Sequence, residues 1–320
     1  MKRPLVVIPG DDPPLVARSP FLSELRTSAE VRLFTDRPVS DDEKLARLQD
    51  AEILLNSRGA IHFSGEVIRQ LPRLKMIAVC GIGYDAIDLG AASEQGIVVC
   101  NIPGRTAGVV AEHAFALMLS TARKLPQMTA ELQRGRWSGD LGVSLLDKQI
   151  GILGTGNIGC QMIRFCRAFG LSVKAWTFHP DASKAAALGF EYLPIENVLA
   201  TSDVISVHCR LTNESRHLMN RNRIRHMKPG SILINTARAG IVETRALVDA
   251  LQSGHLFGAG IDVFDNEPID HTHPLLTCPN VVLTPHSADQ TQEGIDLLTK
   301  GCVDNILAFM DGHPTNVVNP

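Results

Sequence analysis

The feature that most constrains the fold is a glycine-rich turn near the middle of the chain, within residues 150–180. A short apolar run precedes Gly154, Gly156 and Gly159, apolar residues then recur at helical spacing, and residues 173–176 resemble a second strand. In a strand–turn–helix–strand unit, the first glycine permits a tight turn, the second lets a pyrophosphate approach the backbone, and the third lets helix and strand pack closely. Free N–H groups at the helix N-terminus attract the phosphates. The pattern therefore predicts a dinucleotide-binding site.

The residue expected to contact the cofactor's ribose leaves NAD and NADP as alternatives. An acidic residue about 20 positions after the glycines ordinarily holds the ribose hydroxyls of NAD, but His179 stands there. Asp181 follows shortly after, and this carboxylate or backbone groups would hold NAD. His179 with Lys174 or Lys184 would instead tolerate the 2′-phosphate of NADP, which a carboxylate would repel. We therefore expect NAD or NADP as the cofactor.

Composition and charge exclude several other classes of protein. At 320 residues the chain is long enough for about two domains, and its net charge of −3 comes without a basic block, so we expect no nucleic-acid partner. The 7 cysteines are scattered and mostly lie in apolar runs, which favours free thiols in a reducing cytoplasm over a disulfide framework. The N-terminal apolar run is too short for a signal peptide, and the apolar stretch at 109–119 is too short and too polar to span a bilayer. We expect a cytoplasmic protein with no membrane partner.

Short apolar runs alternate with helical patterns on both sides of the glycine turn. Strands separated by helices form parallel sheets that are covered on both faces. Two such sheets in succession predict an α/β protein with two doubly wound domains and a cleft between them, with ligands at the carboxyl ends of the strands. A long helix is expected at 106–124 and an irregular segment at 125–146.

Charged side chains follow three predicted strands of the second sheet. Arg238 comes after one strand, Glu267 follows the segment that carries Asp262, and His286 follows the last strand. A 2-oxo acid needs a cation for its carboxylate, and arginine offers two parallel donors. Its carbonyl oxygen needs a proton as a hydride arrives, and histidine can donate one near neutral pH. A carboxylate next to the other ring nitrogen holds the tautomer of the imidazole and favours its charged form. Arg238 fits the role of the carboxylate-binding cation, His286 that of the proton donor and Glu267 that of the supporting carboxylate.

Structural interpretations compete with these assignments. An arginine after a strand is often a solvated surface residue, and Glu267 and His286, each next to a proline, are also typical of polar turns. Their joint placement after a dinucleotide turn favours catalysis. The pair His271 and His273 lacks further ligands, so we predict no metal site. His113, within a helical pattern, is expected to be a structural hydrogen-bonding residue.

Several segments in register resemble the D-isomer-specific 2-hydroxyacid dehydrogenases, a family that includes D-lactate, D-glycerate, glyoxylate/hydroxypyruvate and phosphoglycerate dehydrogenases. The matching segments are GIGYDAID at 81–88, NIPG at 101–104, VAEH at 110–113, GTGNIG at 154–159, MKPGSILINTARAGIVE at 227–243, GAGIDVFDNEP at 258–268 and LTPH at 283–286. They span nearly the whole chain. Several long motifs in order are far more specific than any one of them.

The resemblance implies reversible hydride transfer between NAD or NADP and a D-2-hydroxy acid/2-oxo acid pair. It implies a Rossmann cofactor domain at 102–287, inserted in a flavodoxin-like substrate domain formed by residues 1–101 and 288–320. It also implies a homodimer that packs through the helix at 106–124 and the arm that follows. Its partner molecules would be the small acid substrate and a second copy of the chain.

The resemblance also implies roles for individual residues. It assigns a catalytic triad to Arg238, Glu267 and His286, in agreement with the strand-end argument. It places Asp262 against the nicotinamide carboxamide, and it places a substrate-carboxylate site at Arg58 with the backbone of residues 81–83. The predicted cofactor contacts are Gly154, Gly156, Asn157, Ile158, Gly159, His179, His208, Thr236, Ala237 and Asp262, and the predicted substrate contacts are Arg58, Gly81, Ile82 and Gly83.

Three positions depart from the family pattern. His179 replaces the common Asp, Val109 stands where many members have Ser or Thr, and Ser287-Ala288-Asp289-Gln290 replaces the usual Gly-Gly after His286. These changes bear on cofactor preference and on the shape of the substrate pocket.

Two other functions are weighed against a 2-hydroxyacid dehydrogenase. Relatives of this fold serve as cofactor-sensing transcriptional corepressors, but the intact triad favours catalysis. Formate oxidation on the same fold uses Gln where Glu267 stands, which disfavours it. The identity of the 2-hydroxy acid does not follow from the sequence.

Overall fold

The computed structural model describes residues 3–137, 139 and 141–319, in which two parallel β-sheets are covered by helices. The strands, numbered along the chain, are β1 (Leu5–Ile8), β2 (Glu30–Leu33), β3 (Ile53–Ser57), β4 (Met76–Cys80), β5 (Val98–Cys100), β6 (Gln149–Leu153), β7 (Ser172–Trp176), β8 (Glu191–Tyr192), β9 (Val204–Val207), β10 (Ser231–Asn235), β11 (Leu256–Ile261) and β12 (Val281–Leu283). The α-helices are α1 (Phe21–Ser28), α2 (Asp41–Leu48), α3 (Gly65–Arg69), α4 (Leu89–Glu94), α5 (Ala107–Arg123), α6 (Leu125–Gln133), α7 (Asn157–Ala168), α8 (Ala182–Leu188), α9 (Ile195–Thr201), α10 (Arg221–His226), α11 (Thr244–Gln252) and α12 (Gln292–Met310).

The first sheet has the strand order β2-β1-β3-β4-β5, and every neighbouring pair is parallel. This is the flavodoxin-like order. All residues of β3 and β4 are buried, as expected for apolar strands between two helical layers. Ile53 and Leu55 belong to the core that includes residues of α1 and α12, whereas Leu54 belongs to the core that includes residues of α3 and α4.

The second sheet has the order β12-β11-β10-β9-β6-β7-β8, and all of its pairs are parallel. Counted from β6, this is the Rossmann order 3-2-1-4-5-6 with one further strand. The strand order reverses between β6 and β9, and folds of this type bind ligands at the carboxyl ends of the strands at such a reversal. Leu153 pairs with Val207 there, so the residues that follow these two strands lie side by side.

The chain divides into two compact units. The first unit contains the residues up to Thr106 together with those from Gln290 onward, and the second unit is Ala107–Asp289. The last helix, α12, packs against α1 and β4, so both ends of the chain build the first unit. Two doubly wound parallel sheets, one flavodoxin-like and one of Rossmann type, confirm the predicted fold class.

The segment after α5 differs from its predicted irregular structure. Helix α6 occupies Leu125–Gln133, at the start of the segment 125–146. Lys124 separates it from α5 with left-handed backbone angles, φ 52° and ψ 37°. Leu125, Met128 and Leu132 recur at helical spacing in α6, but none of its residues is buried. Ser138 and Asp140, later in the same segment, lie outside the described residues.

Neither a membrane-spanning helix nor a metal-binding cluster occurs in the described ranges. None of the helices there combines the length and the apolar character needed to cross a bilayer. The same residues contain no group of three His, Cys, Asp or Glu side chains placed to bind a metal ion. All seven cysteines are free thiols.

Candidate active site

The glycine turn between β6 and α7 has three distinct local geometries. Gly154 has φ +100°, and a Cβ there would lie 2.8 Å from the backbone of Cys209. A Cβ on Gly159 would lie 2.0 Å from the carbonyl oxygen of Gly154, so α7 packs on the turn more closely than any side chain allows. A Cβ on Gly156 would meet no atom within 4 Å. The turn is therefore closed on its protein side at Gly154 and Gly159 and open at Gly156, which suits the approach of a pyrophosphate.

The N-terminus of α7 completes this cradle. The helix begins at Asn157, directly after Gly156, and Ile158 and Gly159 lie in its first turn. Gly156 has no side chain with which to cap the free N–H groups. Such groups bind phosphate oxygens, helped by the helix dipole. The five predicted cofactor residues of the turn are thus brought together in one place.

Two buried polar atoms lie at strand ends beside the turn. The Nδ1 atom of His208 and the Oγ1 atom of Thr236 are buried and have no hydrogen-bond partner among the described residues. His208 follows β9, and its Nε2 lies 2.8 Å from the Oγ of Ser206. Burial lowers the pKa of His208 to about 4, so the imidazole is neutral. Buried polar atoms are rarely left unpaired, and these two offer a donor or acceptor to a bound cofactor.

These observations test whether a dinucleotide fits the second unit. The open Gly156, the uncapped N-terminus of α7 and the two unpaired strand-end atoms all lie at the carboxyl edge of the sheet where its order reverses. Ala237 follows Thr236 at the same edge, after β10. The residues present therefore fit a nicotinamide dinucleotide. His179 is exposed in the loop after β7.

His286 and Glu267 form the closest side-chain contact among the predicted catalytic residues. The Nδ1 atom of His286 lies 2.6 Å from Oε2 of Glu267, and Oε1 of Glu267 accepts a hydrogen bond of 3.0 Å from the Phe264 amide. Burial works to raise the pKa of Glu267, but the hydrogen bond and charge of His286, with a smaller contribution from Arg238, hold it below its ordinary value. Glu267 is therefore an acceptor, and Nδ1 of His286 donates.

Backbone geometry after β12 aims the His286 ring. His286 has φ 49°, in the left-handed region that His adopts more readily than most residues. Its amide donates to the carbonyl of Thr284 at 3.0 Å, closing a tight turn around Pro285. Strain of this kind is common where a side chain must be held in one orientation.

Arg238 is held at the end of β10 by a buried asparagine. The side chain of Asn235 accepts a hydrogen bond from the Ala237 amide and donates one to the carbonyl of Arg238, both at 3.0 Å. Asn235 is 1% exposed, so this clamp is shielded from water. The structure thus brings Arg238 close enough to Glu267 for its charge to lower the pKa of that carboxyl.

Asp262 anchors the loop that carries His286. It is 0% exposed, and its carboxylate accepts hydrogen bonds from the Thr284 hydroxyl at 2.6 Å, the Ser287 amide at 2.8 Å and the Ala288 amide at 3.1 Å. Burial alone would raise the pKa of Asp262, but His113, the Thr284 hydroxyl and the Ser287 amide hold it below its ordinary value. The direct contact of Asp262 with a nicotinamide stays a prediction.

His113 on α5 joins the same network. Its Nε2 lies 3.0 Å from Oγ1 of Thr284. Because the single hydroxyl proton of Thr284 goes to Asp262, Nε2 of His113 carries the proton and donates. The hydrogen-bonding role expected of His113 is confirmed, but the partners Thr284 and Asp262 were not identifiable from the sequence.

The predicted substrate contacts of the first unit lie at adjacent strand ends. Arg58 follows β3 and Gly81 follows β4, and the last residues of these strands, Ser57 and Cys80, are paired in register. The Gly81 carbonyl accepts a 3.0 Å hydrogen bond from the amide of Ile102, and the carbonyl of Ile82 accepts one of 2.7 Å from the side chain of Asn101. The backbone of residues 81–83 is therefore fixed beside Arg58, whose φ is 53°. Their role in substrate binding stays a prediction.

Sequence reasoning missed residues that hold the predicted site residues in place. Asn235, Thr284 and Ser206 were not singled out, although each belongs to a strand or follows one directly at the sheet's carboxyl edge. The available signal was a polar residue within an otherwise apolar strand, as in SILIN at 231–235. Such a residue must find a hydrogen-bond partner when it is buried.

The Rossmann sheet, its glycine turn and the strand-end acid–base pair define the class of protein as a nicotinamide-dependent oxidoreductase. Residues 115–288 match the family described as D-isomer specific 2-hydroxyacid dehydrogenase, NAD binding domain. The chain belongs to the D-isomer specific 2-hydroxyacid dehydrogenase family, which confirms the resemblance seen in its motifs. Its cofactor is NAD or NADP.

Named relatives support the assignment of the chain to this family. The chain is 34% identical to a glyoxylate reductase of Korarchaeum cryptofilum over 93% of this chain and 92% of that protein. It is 36% identical to a D-3-phosphoglycerate dehydrogenase of Methanocaldococcus jannaschii, over 88% of this chain and 54% of that protein. The crystal structure of an NADPH-dependent glyoxylate/hydroxypyruvate reductase from Sinorhizobium meliloti, in complex with NADP and malonate, matches with a TM-score of 0.87 and 32% identity over 99% of this chain and 97% of that one. All three are named as enzymes, so they give the corepressor alternative no support.

Proposed function

We propose that this chain reduces a small 2-oxo acid to the D-2-hydroxy acid, and catalyses the reverse reaction, with Arg238, Glu267 and His286 as the catalytic residues. The observation that carries this proposal is the 2.6 Å contact between His286 and Glu267 beside the charge of Arg238. All three residues follow strands of the sheet that holds the glycine turn. A cation, a proton donor and its carboxylate partner are the groups that reduction of a 2-oxo acid requires.

Each residue has a defined task in this mechanism. Arg238 binds the substrate carboxylate with two parallel hydrogen bonds and so fixes the carbonyl group. The nicotinamide, when bound, supplies the hydride to the carbonyl carbon. As the C=O π bond breaks, Nε2 of His286 donates its proton to the oxygen. Glu267 keeps Nδ1 protonated and stabilises the imidazolium before transfer, and in the reverse direction His286 takes the proton back.

Glyoxylate, hydroxypyruvate and pyruvate are the substrates we propose to test first. Two of the relatives described above are named for reduction of glyoxylate, one of them also for hydroxypyruvate. The bound malonate in the solved relative is a small dicarboxylate. One guanidinium at Arg238 suits a substrate with a single carboxylate next to the carbonyl.

We further propose that the two units divide the work as the family pattern implies. The second unit would be the cofactor domain, predicted as 102–287, and the first unit would be the substrate domain, predicted as 1–101 and 288–320. Arg58 and the backbone of residues 81–83 would then add substrate contacts. The paired ends of β3 and β4 support a ligand-binding role for these residues.

A homodimer through α5 and the segment after it is proposed as well. Large apolar side chains are exposed in this segment, among them Trp137 at 95% and Leu141 at 88%. Apolar side chains grouped on a surface are typical of interfaces. Sedimentation velocity should give twice the chain mass for the unmodified protein and a monomer for the double variant Trp137→Ser with Leu141→Ser. A monomeric unmodified protein would contradict the proposal.

We place the protein in the cytoplasm. Burial raises the pKa of Cys166 and Cys209 to about 12, which keeps both thiols neutral and unreactive. Free buried thiols are typical of a reducing compartment. Cell fractionation with an antibody against the protein tests this, and recovery outside the cytoplasmic fraction would contradict it.

The central experiment measures turnover with a panel of 2-oxo acids and each of NADH and NADPH, followed at the nicotinamide absorbance. At least one small 2-oxo acid should be reduced, and the product should be the D isomer by chiral chromatography. Turnover of none of the panel with either cofactor would contradict the proposed function. An L product would contradict the proposed D-isomer specificity.

A further inference from the structure

The loop after β7 lies directly against the glycine turn. The Gly154 amide donates a 2.7 Å hydrogen bond to the carbonyl of Trp176, the last residue of β7, and Leu153 pairs with Trp176 in register. Residues 177–181 therefore leave the sheet beside the turn. In this fold the side chain at that place meets the adenosine ribose of the cofactor. Thr177, Phe178, His179 and Pro180 bring no carboxylate to it.

Asp181, the first carboxylate after β7, is engaged elsewhere. Its Oδ1 accepts hydrogen bonds from the Ser183 amide at 3.0 Å, the Ser183 hydroxyl at 2.6 Å and the Lys184 amide at 3.1 Å. The Ser183 hydroxyl and these amides hold the pKa of Asp181 below its ordinary value. The carboxylate thus caps α8. A carboxylate in that position does not replace the acid that holds the ribose hydroxyls of NAD.

Lys184 brings a positive charge to the turn itself. Its Nζ donates to the carbonyl of Thr155, the residue between the first two glycines, at 3.3 Å. Within the described ranges Lys184 has no carboxylate at ion-pair distance, so its other two ammonium donors remain available. Lys174, in contrast, is ion-paired with Glu191 on β8.

A second cation lies close by on α7. Arg164 is exposed and has no ion pair in the described part of the chain. Arg164 and Lys184 both act electrostatically on the Cys160 thiol in the first turns of α7; burial raises the pKa of that thiol, and the two cations oppose the rise. Asp181 opposes the two cations at the same thiol and interacts electrostatically with Lys184, but among the described residues it forms no ion pair with either cation. The surroundings of the turn therefore carry two cations and one carboxylate, which caps α8.

We propose that the site is built for the 2′-phosphate of NADP(H), and that Lys184 and His179 make the protein bind NADPH in preference to NADH. This rests on the proposed function, because it takes the glycine turn as the cofactor site. The ammonium of Lys184 forms a charge-assisted hydrogen bond with the phosphate. His179 adds a donor where a carboxylate would repel it. Compared with a site that binds NAD, Lys184 adds one cation and the loop after β7 lacks the ribose-contacting carboxylate. The preference for NADPH follows from these two differences.

The first test needs no catalysis. Adenosine 2′,5′-bisphosphate and 5′-AMP differ only in the 2′-phosphate, so calorimetry with each of them isolates its contribution. We expect the bisphosphate to bind about tenfold tighter or more, as a hydrogen bond between charged groups implies. Equal affinities would overturn the NADPH preference and leave the cofactor site intact. If neither nucleotide, NADPH nor NADH binds, the cofactor site and the proposed function fail together.

Three variants test which residues cause the preference for NADPH. The dissociation constants of NADPH and NADH are measured for each variant by fluorescence titration. Lys184→Gln should weaken NADPH binding about tenfold and leave NADH within about twofold. His179→Asp should weaken NADPH further and improve NADH, because it restores the ribose acid. Lys174→Gln is the matched control, and its NADPH/NADH ratio should equal that of the unmodified protein. An unchanged ratio in both Lys184→Gln and His179→Asp would overturn the assignment.

Discussion

The Nδ1 atom of His286 lies 2.6 Å from Oε2 of Glu267, and in the proposed mechanism this contact decides which ring nitrogen serves the substrate. Because the pKa of Glu267 is held below its ordinary value, the carboxylate accepts and Nδ1 donates. Nε2 is then the nitrogen that we propose gives or takes the substrate proton. The pair is about one-third exposed, with side-chain exposures of 38% and 36%, so a substrate can reach it.

Glu267→Gln should lower the rate of 2-oxo acid reduction. The amide keeps a hydrogen bond to the imidazole but removes the negative charge that stabilises the imidazolium. We expect kcat to fall roughly 10- to 100-fold, part of what general acid catalysis contributes. Steady-state rates at saturating 2-oxo acid and cofactor measure this, and an unchanged kcat in the variant would contradict the role of Glu267.

Arg238→Ala should separate substrate binding from cofactor binding. Loss of two charge-assisted hydrogen bonds to the substrate carboxylate should reduce kcat/KM by about a hundredfold or more. The dissociation constant of the cofactor should change little. Arg238→Lys is the matched comparison: it keeps the charge but loses the paired geometry, so it should recover only part of the activity. Full activity in Arg238→Ala would remove its assigned role.

The sequence specified the fold class and pointed to the proposed catalytic residues because both rest on local patterns. Apolar strands of the right length and glycines at fixed spacing follow from backbone sterics, which act over a few residues. Arg238, Glu267 and His286 were identifiable because each comes at the end of such a strand. Helix α6 was missed, although Leu125, Met128 and Leu132 recur at helical spacing, because Gly135, Gly139 and Gly142 after it made the whole segment resemble a loop.

Pairing between distant residues could not be predicted. Lys174 and Lys184 were equal candidates for a cofactor phosphate, and only the structure assigns Lys174 to Glu191 and Lys184 to the carbonyl of Thr155. The link from His113 to Asp262 through Thr284 spans α5, β11 and the end of β12, which no local pattern connects. Such contacts depend on strand order and register, which the sequence does not encode locally.

Two glycine variants should separate cofactor binding from folding. Gly156→Ala places a methyl group where no protein atom lies within 4 Å, so thermal stability should stay within a few degrees while the cofactor's dissociation constant rises about tenfold or more. Gly159→Ala would bring a Cβ to 2.0 Å from the Gly154 carbonyl, so it should destabilise the second unit itself. Thermal melts and fluorescence titration of both variants test this. Cofactor affinity unaffected by Gly156→Ala would place the phosphates elsewhere.

Asp262→Asn should destabilise the protein at neutral pH and flatten its response to acid. Asp262 is fully buried and accepts from one hydroxyl and two amides, and an amide side chain cannot accept all three, so the cost should be about 1–3 kcal/mol.

Folding lowers the pKa of Asp262 below its ordinary 3.8. The folded state thus binds this proton less tightly than the unfolded state does, and the stability the carboxylate contributes is present above pH 3.8 and lost as pH falls through the lower folded value. Urea unfolding between neutral pH and pH 3 should therefore show the gap between the unmodified protein and Asp262→Asn narrowing in acid, with the exposed Asp311→Asn as control. A gap that stays constant down to pH 3 would mean that folding does not lower the pKa of Asp262.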